Sequence, residues 1–172
     1  LIEARLIQID VSGYDVSGYN YGDTNDWETI VDSSGIESFY GSIQGESGWY
    51  RMEIQFSFEE IPIIVENISP IGVGEVFIIA GQSNSANHGD TKLSPTDSRV
   101  SSWGNDTEGW RFGNDPQPIA TGDYGSPWPP FADKIVRRYN VPVGIISVGW
   151  GGTRVDQWIP NASGPDESGD LF

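Results

Sequence analysis

Two apolar runs that lack alternation constrain this chain most. Glu75-Val76-Phe77-Ile78-Ile79-Ala80 stops at Gly81, and Val141 to Val148 stops at Gly149. A strand with one wet face alternates apolar and polar residues. A short unalternating run of β-branched and aromatic residues suits a strand covered on both faces, as in a parallel sheet. Parallel neighbours need a crossover connection, and the sequence between the runs supplies one. A long polar stretch rich in Gly, Asn, Asp, Ser and Pro covers Ser85 to Gly125. Ser126-Pro127 then reads as a helix start, a capping hydroxyl followed by Pro at the first helical position. Trp128, Phe131, Ile135, Val136 and Tyr139 recur on one side of the helix that follows, and Asn140 ends it. Strand, helix, strand is a βαβ unit, expected to be right-handed. The second half of the sequence is therefore expected to open an α/β fold with a parallel sheet.

The first 73 residues read as β throughout. Leu1 to Val11 alternates loosely, Ser12 to Asp26 is loop-like, and Trp27, Ile30 and Val31 start a second strand. Phe39 to Ile43 is a third candidate. Trp49 to Phe56 alternates clearly, and Ile61 to Ile68 follows with Pro62 at its opening. Gln44-Gly45-Glu46-Ser47 reads as a hairpin turn. No window has a 3.6-residue period. Short strands with Gly-rich turns imply a small all-β, sandwich-like module over 1–73. The second domain then covers 74–172, with the boundary at Gly72-Val73-Gly74.

Charge narrows the partners. There are 25 acidic residues against nine basic ones, for a net charge of −16. Such a surface repels nucleic acid and anionic membrane faces. No apolar run reaches membrane-spanning length, which argues against membrane insertion. There is no Cys, hence no disulfide, no thiolate ligand and no thiol nucleophile. Oxygen ligands cluster at Asp15, Asp23, Asn25 and Asp26, but their spacing matches no calcium loop, and a solvated turn accounts for them. No metal and no cofactor is expected.

Two strand ends carry unusual sequences: Gly81-Gln82-Ser83-Asn84-Ser85, and Gly149-Trp150-Gly151-Gly152-Thr153. In an open parallel sheet both lie on the rim where ligands gather. A Ser just past a buried strand can project its hydroxyl beside free backbone N–H groups, as a nucleophile with an oxyanion site requires.

Gly74 to Asn84 resembles the first sequence block of the SGNH hydrolase superfamily, in the branch of sialate O-acetylesterases and acetylxylan esterases. Val143-Gly144-Ile145-Ile146, with Trp150-Gly151-Gly152-Thr153 and Trp158, is similar to the segment that this branch carries further on. The resemblance covers about Gly74 to Pro160. More weakly, Gly48 to Ile54 resembles a late strand of the β modules that precede such domains. The resemblance implies the N-terminal part of an SGNH, flavodoxin-like parallel-sheet domain preceded by the β module. It implies a carbohydrate O-acetylesterase acting on acetylated glycans. Ser83 would be the nucleophile, and its own N–H an oxyanion donor. Gly151, with Gly152 as fallback, would supply a second donor, each worth about 3 kcal/mol in the transition state. Gln82 and Asn84 would hold the nucleophile turn.

The sequence also departs from the family pattern. The general base of the family is a His in an Asp-x-x-His motif, and no such motif is present. The single His, His88, follows Ser83 too closely to face it squarely and is expected to contact substrate or support the loop. Gly104-Asn105-Asp106 and Gly113-Asn114-Asp115 look like the third block of the family but precede the second, so they read as turns. The expected account is a domain incomplete at its C-terminus, with the base beyond Phe172 and the chain inactive alone. The partner would then be the remainder of a longer polypeptide, or a second copy. Trp103 and Trp110 are candidate sugar contacts, since aromatic faces stack on sugar rings. The rival reading is a non-catalytic glycan-binding or structural module of a large extracellular protein. Either way, acidic, Cys-free sequence with glycan-directed motifs points to a secreted or surface bacterial protein.

Overall fold

The computed structural model describes residues 1–10, 27–31, 39–104 and 109–159. The protein divides into two compact units, Leu1–Gly74 and Glu75–Phe172.

The first unit is built on one four-stranded antiparallel sheet: β1 (Ile2–Gln8), β2 (Glu28–Val31), β3 (Gly48–Phe58) and β4 (Ile61–Val73), in the order β2-β1-β3-β4. Among the described residues there is a single sheet here, where two facing sheets were expected. Ile2, Ala4, Ile7, Ile9 and Tyr50 are its buried apolar residues. The buried positions of β1 switch faces between Ala4 and Ile7, which explains why its alternation is loose. Phe39 to Ile43 forms no strand. Instead Phe39 sets its ring edge-on to Phe56 at 5.5 Å. Gln44 to Ser47 makes no hairpin, and leads into β3 with the Glu46 carbonyl accepting from the Tyr50 hydroxyl at 2.9 Å. On β3, Glu53 accepts from Arg5 at 2.6 and 2.9 Å and from Arg51 at 3.1 Å. The expected loop from Ser12 to Asp26 lies outside the described residues.

The second unit holds β5 (Glu75–Ile79), β6 (Val100–Trp103), β7 (Trp110–Phe112), α1 (Trp128–Tyr139) and β8 (Val143–Ser147), with sheet order β5-β8-β6-β7. β5 and β6 both run parallel to β8, and β7 closes one edge antiparallel to β6. β5 and β8 are thus neighbours with α1 in the connection between them. β6 and β7 were not expected within the polar stretch. They form because Val100 and Ser102 face the core, and the buried Ser102 hydroxyl finds an acceptor in Gln117 Oε1 at 2.6 Å.

One face of this sheet meets α1. Val100, Ala132, Val136, Val143 and Ile145 form its centre, with Phe77, Ile79, Trp128, Phe131 and Ile135 packed around them. Tyr139, expected on the same face, is exposed, with the Arg138 guanidinium 5.5 Å above its ring. β5 departs from a strand covered on both sides: Val76 is 56% and Ile78 73% exposed on the face away from α1.

The start of α1 also differs from the expected cap. The helix begins at Trp128 with Pro127 as its cap residue; the Ser126 N–H and hydroxyl donate to the Asp115 carboxylate at 2.8 and 2.6 Å, and the Ser126 oxygen accepts from Trp128 N–H only at a long 3.4 Å. Asn140, at φ 55°, ends the helix in the left-handed conformation. Within α1 the buried Asp133 accepts from Thr96 N–H, Thr96 Oγ1 and Asp97 N–H. The helix thereby pins the loop that leads into β6.

Candidate active site

Just past the end of β5, residues Ser83–Ser85 form a single 3-10 turn. The turn is fixed from several sides. Ser85 N–H and Ser85 Oγ both donate to the Gln82 carbonyl, at 2.9 and 2.7 Å. The Ser85 carbonyl accepts from Ser147 Oγ at 2.9 Å and from Trp128 Nε1 at 3.0 Å. The turn is therefore tied to the end of β8 and the first residue of α1. Both Ser85 and Ser147 are buried, so each of these bonds satisfies a group that water cannot reach.

Ser83 is half-buried on this turn, and its hydroxyl donates to Gln82 Oε1 at 3.1 Å. Gln82 supports the turn through its backbone carbonyl and touches the Ser83 hydroxyl through its amide group. Asn84 is exposed, and the bonds that hold the turn come from Gln82, Ser85, Ser147 and Trp128. Ser83 opens onto a cleft of ≈ 520 Å³ shared with Asn84, His88, Asp90, Thr91 and Ser126.

The second glycine-rich strand end comes to the same rim. Trp150 N–H donates to the Gly81 carbonyl at 2.8 Å, which joins the turn after β8 to the turn after β5. Gly151 N–H donates to Thr121 Oγ1 at 2.8 Å. The Gly151 amide, expected to be free for an oxyanion, is thus occupied by a neutral hydroxyl. His88 explains the glycine at 151: a Cβ there would stand 2.7 Å from His88 Nε2. Gly152 has φ 79° and open space where a Cβ would be, so the backbone alone demands glycine.

His88 is exposed, with Nε2 3.4 Å from Thr121 Oγ1. It is held by its neighbour Asn87, which is fully buried. Asn87 donates to the Gln117 and Ala120 carbonyls at 2.9 and 3.0 Å and accepts from Gln117 N–H at 2.6 Å. Trp103 and Trp110 do not line the cleft. They pair across β6 and β7, and the Trp110 ring takes the space over Gly144, where a Cβ would meet it at 2.7 Å.

A family model described as carbohydrate esterase, sialic acid-specific acetylesterase (SASA) matches residues 73–168. The chain belongs to this family. Searches of curated proteins and of solved structures each returned no match. The SASA match begins at Val73, beside the point where the first unit gives way to the second. Ser83, His88, Gly151 and Gly152 all fall inside it.

In this SASA-family protein the residues that sequence reading missed are those that organise the rim. Thr121 touches both His88 and the Gly151 amide. Asp115 gathers Leu93 N–H, Gln117 Nε2 and both donors of Ser126. The only signal for either was a Thr or an Asp in a stretch already full of turn-forming residues. The oxygen cluster at Asp15 to Asp26, the turn at Asn105 and Asp106, and Pro160 onward lie outside the described residues.

Proposed function

We propose that this carbohydrate esterase is an SGNH-type serine hydrolase that removes acetyl groups from glycans through an acyl-enzyme, with Ser83 as nucleophile. The observation that carries this reading is the position of Ser83. It follows β5 directly, at the carboxyl-end edge of the parallel strands β5, β8 and β6, and opens onto the ≈ 520 Å³ cleft. The strand order and the crossover through α1 support reading this sheet as the opening part of an SGNH sheet.

Ser83 Oγ attacks the acetyl carbonyl carbon while its proton passes to a base. The sugar hydroxyl leaves with a proton, and water then attacks the acetyl-serine to release acetate. The charge that develops on the carbonyl oxygen meets the Ser83 N–H and a second amide. Gly152 is assigned that second role, because the Gly151 N–H is engaged by Thr121. The base is assigned to a group other than His88, whose Nε2 faces the Thr121 hydroxyl. His88 and Asn84 instead contact the sugar. The acidic, Cys-free sequence suits a secreted or surface protein that meets its glycan outside the cell.

The test is hydrolysis of p-nitrophenyl acetate and acetylated sugars by the full-length polypeptide. Ser83→Ala is expected to lower kcat by about 10³-fold or more while leaving the thermal transition in place. Activity retained in Ser83→Ala rejects the assignment. One observation favours a second reading: the Ser83 hydroxyl donates to Gln82 rather than to an imidazole. In that reading the protein is a non-catalytic glycan-binding module. Acetylated glycans then bind wild type and Ser83→Ala equally, and neither turns over the ester.

A further inference from the structure

Thr121 lies in the connection between β7 and α1 and bridges both rim turns. Its carbonyl accepts from Asn87 N–H, and its N–H donates to the Gly149 carbonyl, each at 2.9 Å. Any residue could make those backbone bonds. The hydroxyl adds a third link that only a side-chain acceptor supplies, the 2.8 Å bond from Gly151 N–H. The same oxygen stands 3.4 Å from His88 Nε2 and 3.5 Å from the Gly149 carbonyl oxygen, both long for an O–H bond. The Gly151 amide is therefore its firm partner. A planar peptide leaves only φ and ψ free at each residue. Fixing the Gly151 amide restricts the next peptide plane, which carries the Gly152 N–H. Gly152 has φ 79° and no packed neighbour at its Cβ position; the Thr153 hydroxyl closes the turn on its far side by donating to the Trp150 carbonyl at 2.7 Å, and Thr121 holds the near side.

We infer that Thr121 is a positioning residue of the esterase: its hydroxyl holds the Gly151 amide so that the Gly152 N–H stays aimed at the acyl oxygen bound at Ser83. The inference rests on the acyl-enzyme reading above. An oxyanion donor works only when it is in place before charge develops, because reorienting it during the reaction would consume the stabilisation it gives. The Thr121 hydroxyl performs that preorganisation without touching the substrate.

Two substitutions separate this role from general support of the fold. Thr121→Val keeps the branched shape and deletes the acceptor; Thr121→Ser keeps the acceptor and deletes a methyl. Turnover of p-nitrophenyl acetate by the full-length polypeptide is measured per active site, the sites being counted with a fluorophosphonate that reacts at Ser83. Thr121→Val is expected to lower kcat per site about 10- to 100-fold, a part of what loss of a whole oxyanion donor costs. Its KM should stay within about threefold, and Thr121→Ser should keep kcat within about threefold of wild type. A purely structural role would lower the number of titratable sites and the melting temperature while leaving kcat per site unchanged, and that result overturns the inference. Failure of Thr121→Ser to restore kcat overturns it as well. Absence of Ser83-dependent turnover in the wild type rejects the acyl-enzyme reading, and this inference with it.

Discussion

Asn87, Ser102 and Gln117 are buried at 0%, 0% and 2% exposure, and together they hold the rim that carries His88. Each is a polar residue in turn-like sequence, where exposure is the ordinary outcome. Burial becomes favourable only because their donors and acceptors meet one another across 15 and 30 residues of sequence. Asp133 belongs to the same class, a carboxylate 5% exposed with three donors on Thr96 and Asp97. Asp133→Ala should leave those groups without their acceptor and lower stability by about 3 kcal/mol. Urea unfolding monitored by tryptophan fluorescence measures it, and a loss below about 1 kcal/mol would show that water replaces the carboxylate. The turns that carry Ser83 and Gly151-Gly152 were legible at this scale from local sequence. Thr121 was not, since its role consists of contacts with residues 33 and 30 positions away.

At the element scale, apolar patterning revealed α1, β5, β8 and the β3–β4 pair: α1 and β8 bury a face, whereas Ile61, Ile63, Val65 and Ile68 mark β4 by their β-branched side chains although they stay exposed. It missed β6 and β7. Ser101 and Ser102 give no strand signal, and Ser102 enters the core only with Gln117 beside it. It also placed a strand at Phe39 to Ile43, where a single aromatic contact with Phe56 takes the place of sheet pairing. The β3–β4 connection is a two-residue turn with Glu59 at φ 49° and Glu60 at φ 66°. Both sit in the left-handed region, which Asn-Gly tolerates far better than Glu-Glu. The double replacement Glu59→Asn with Glu60→Gly should stabilise the first unit by about 1 kcal/mol. Thermal unfolding checks it: an unchanged or lower melting temperature would mean that the glutamates contribute something beyond backbone shape.

For the whole molecule, acid response follows from opposing charge effects. The net charge of −16 disfavours the compact state at neutral pH, so partial protonation on moving towards pH 5 should raise stability. Below about pH 4 the sign reverses. The Arg99 guanidinium, hydrogen-bonded to Asp97 at 3.0 Å, holds that carboxyl below its usual range. Burial lifts the Glu53 carboxyl, but Arg5 and Arg51 outweigh it and hold it low. A carboxyl depressed in the folded state stabilises above its unfolded pKa, and that contribution is lost as pH falls through the folded value. Melting temperature should therefore pass through a maximum near pH 5 and fall below about pH 4, with the acid limb shallower in Asp97→Asn. A monotonic profile, or an unaltered limb in the variant, would contradict this. Local sequence was enough for a strand–helix–strand unit, a serine-bearing turn at its first strand end, a glycine turn at its second, and a separate β unit ahead of them. These follow from local apolar spacing and glycine placement, which are present in any short window of residues. Tertiary structure alone decided that β6 and β7 extend the sheet, that Trp110 lies on Gly144 instead of in the cleft, and that Thr121 holds the Gly151 amide. Each of these depends on a partner distant in sequence, and a polar residue records nothing of such a partner until the fold brings it within reach.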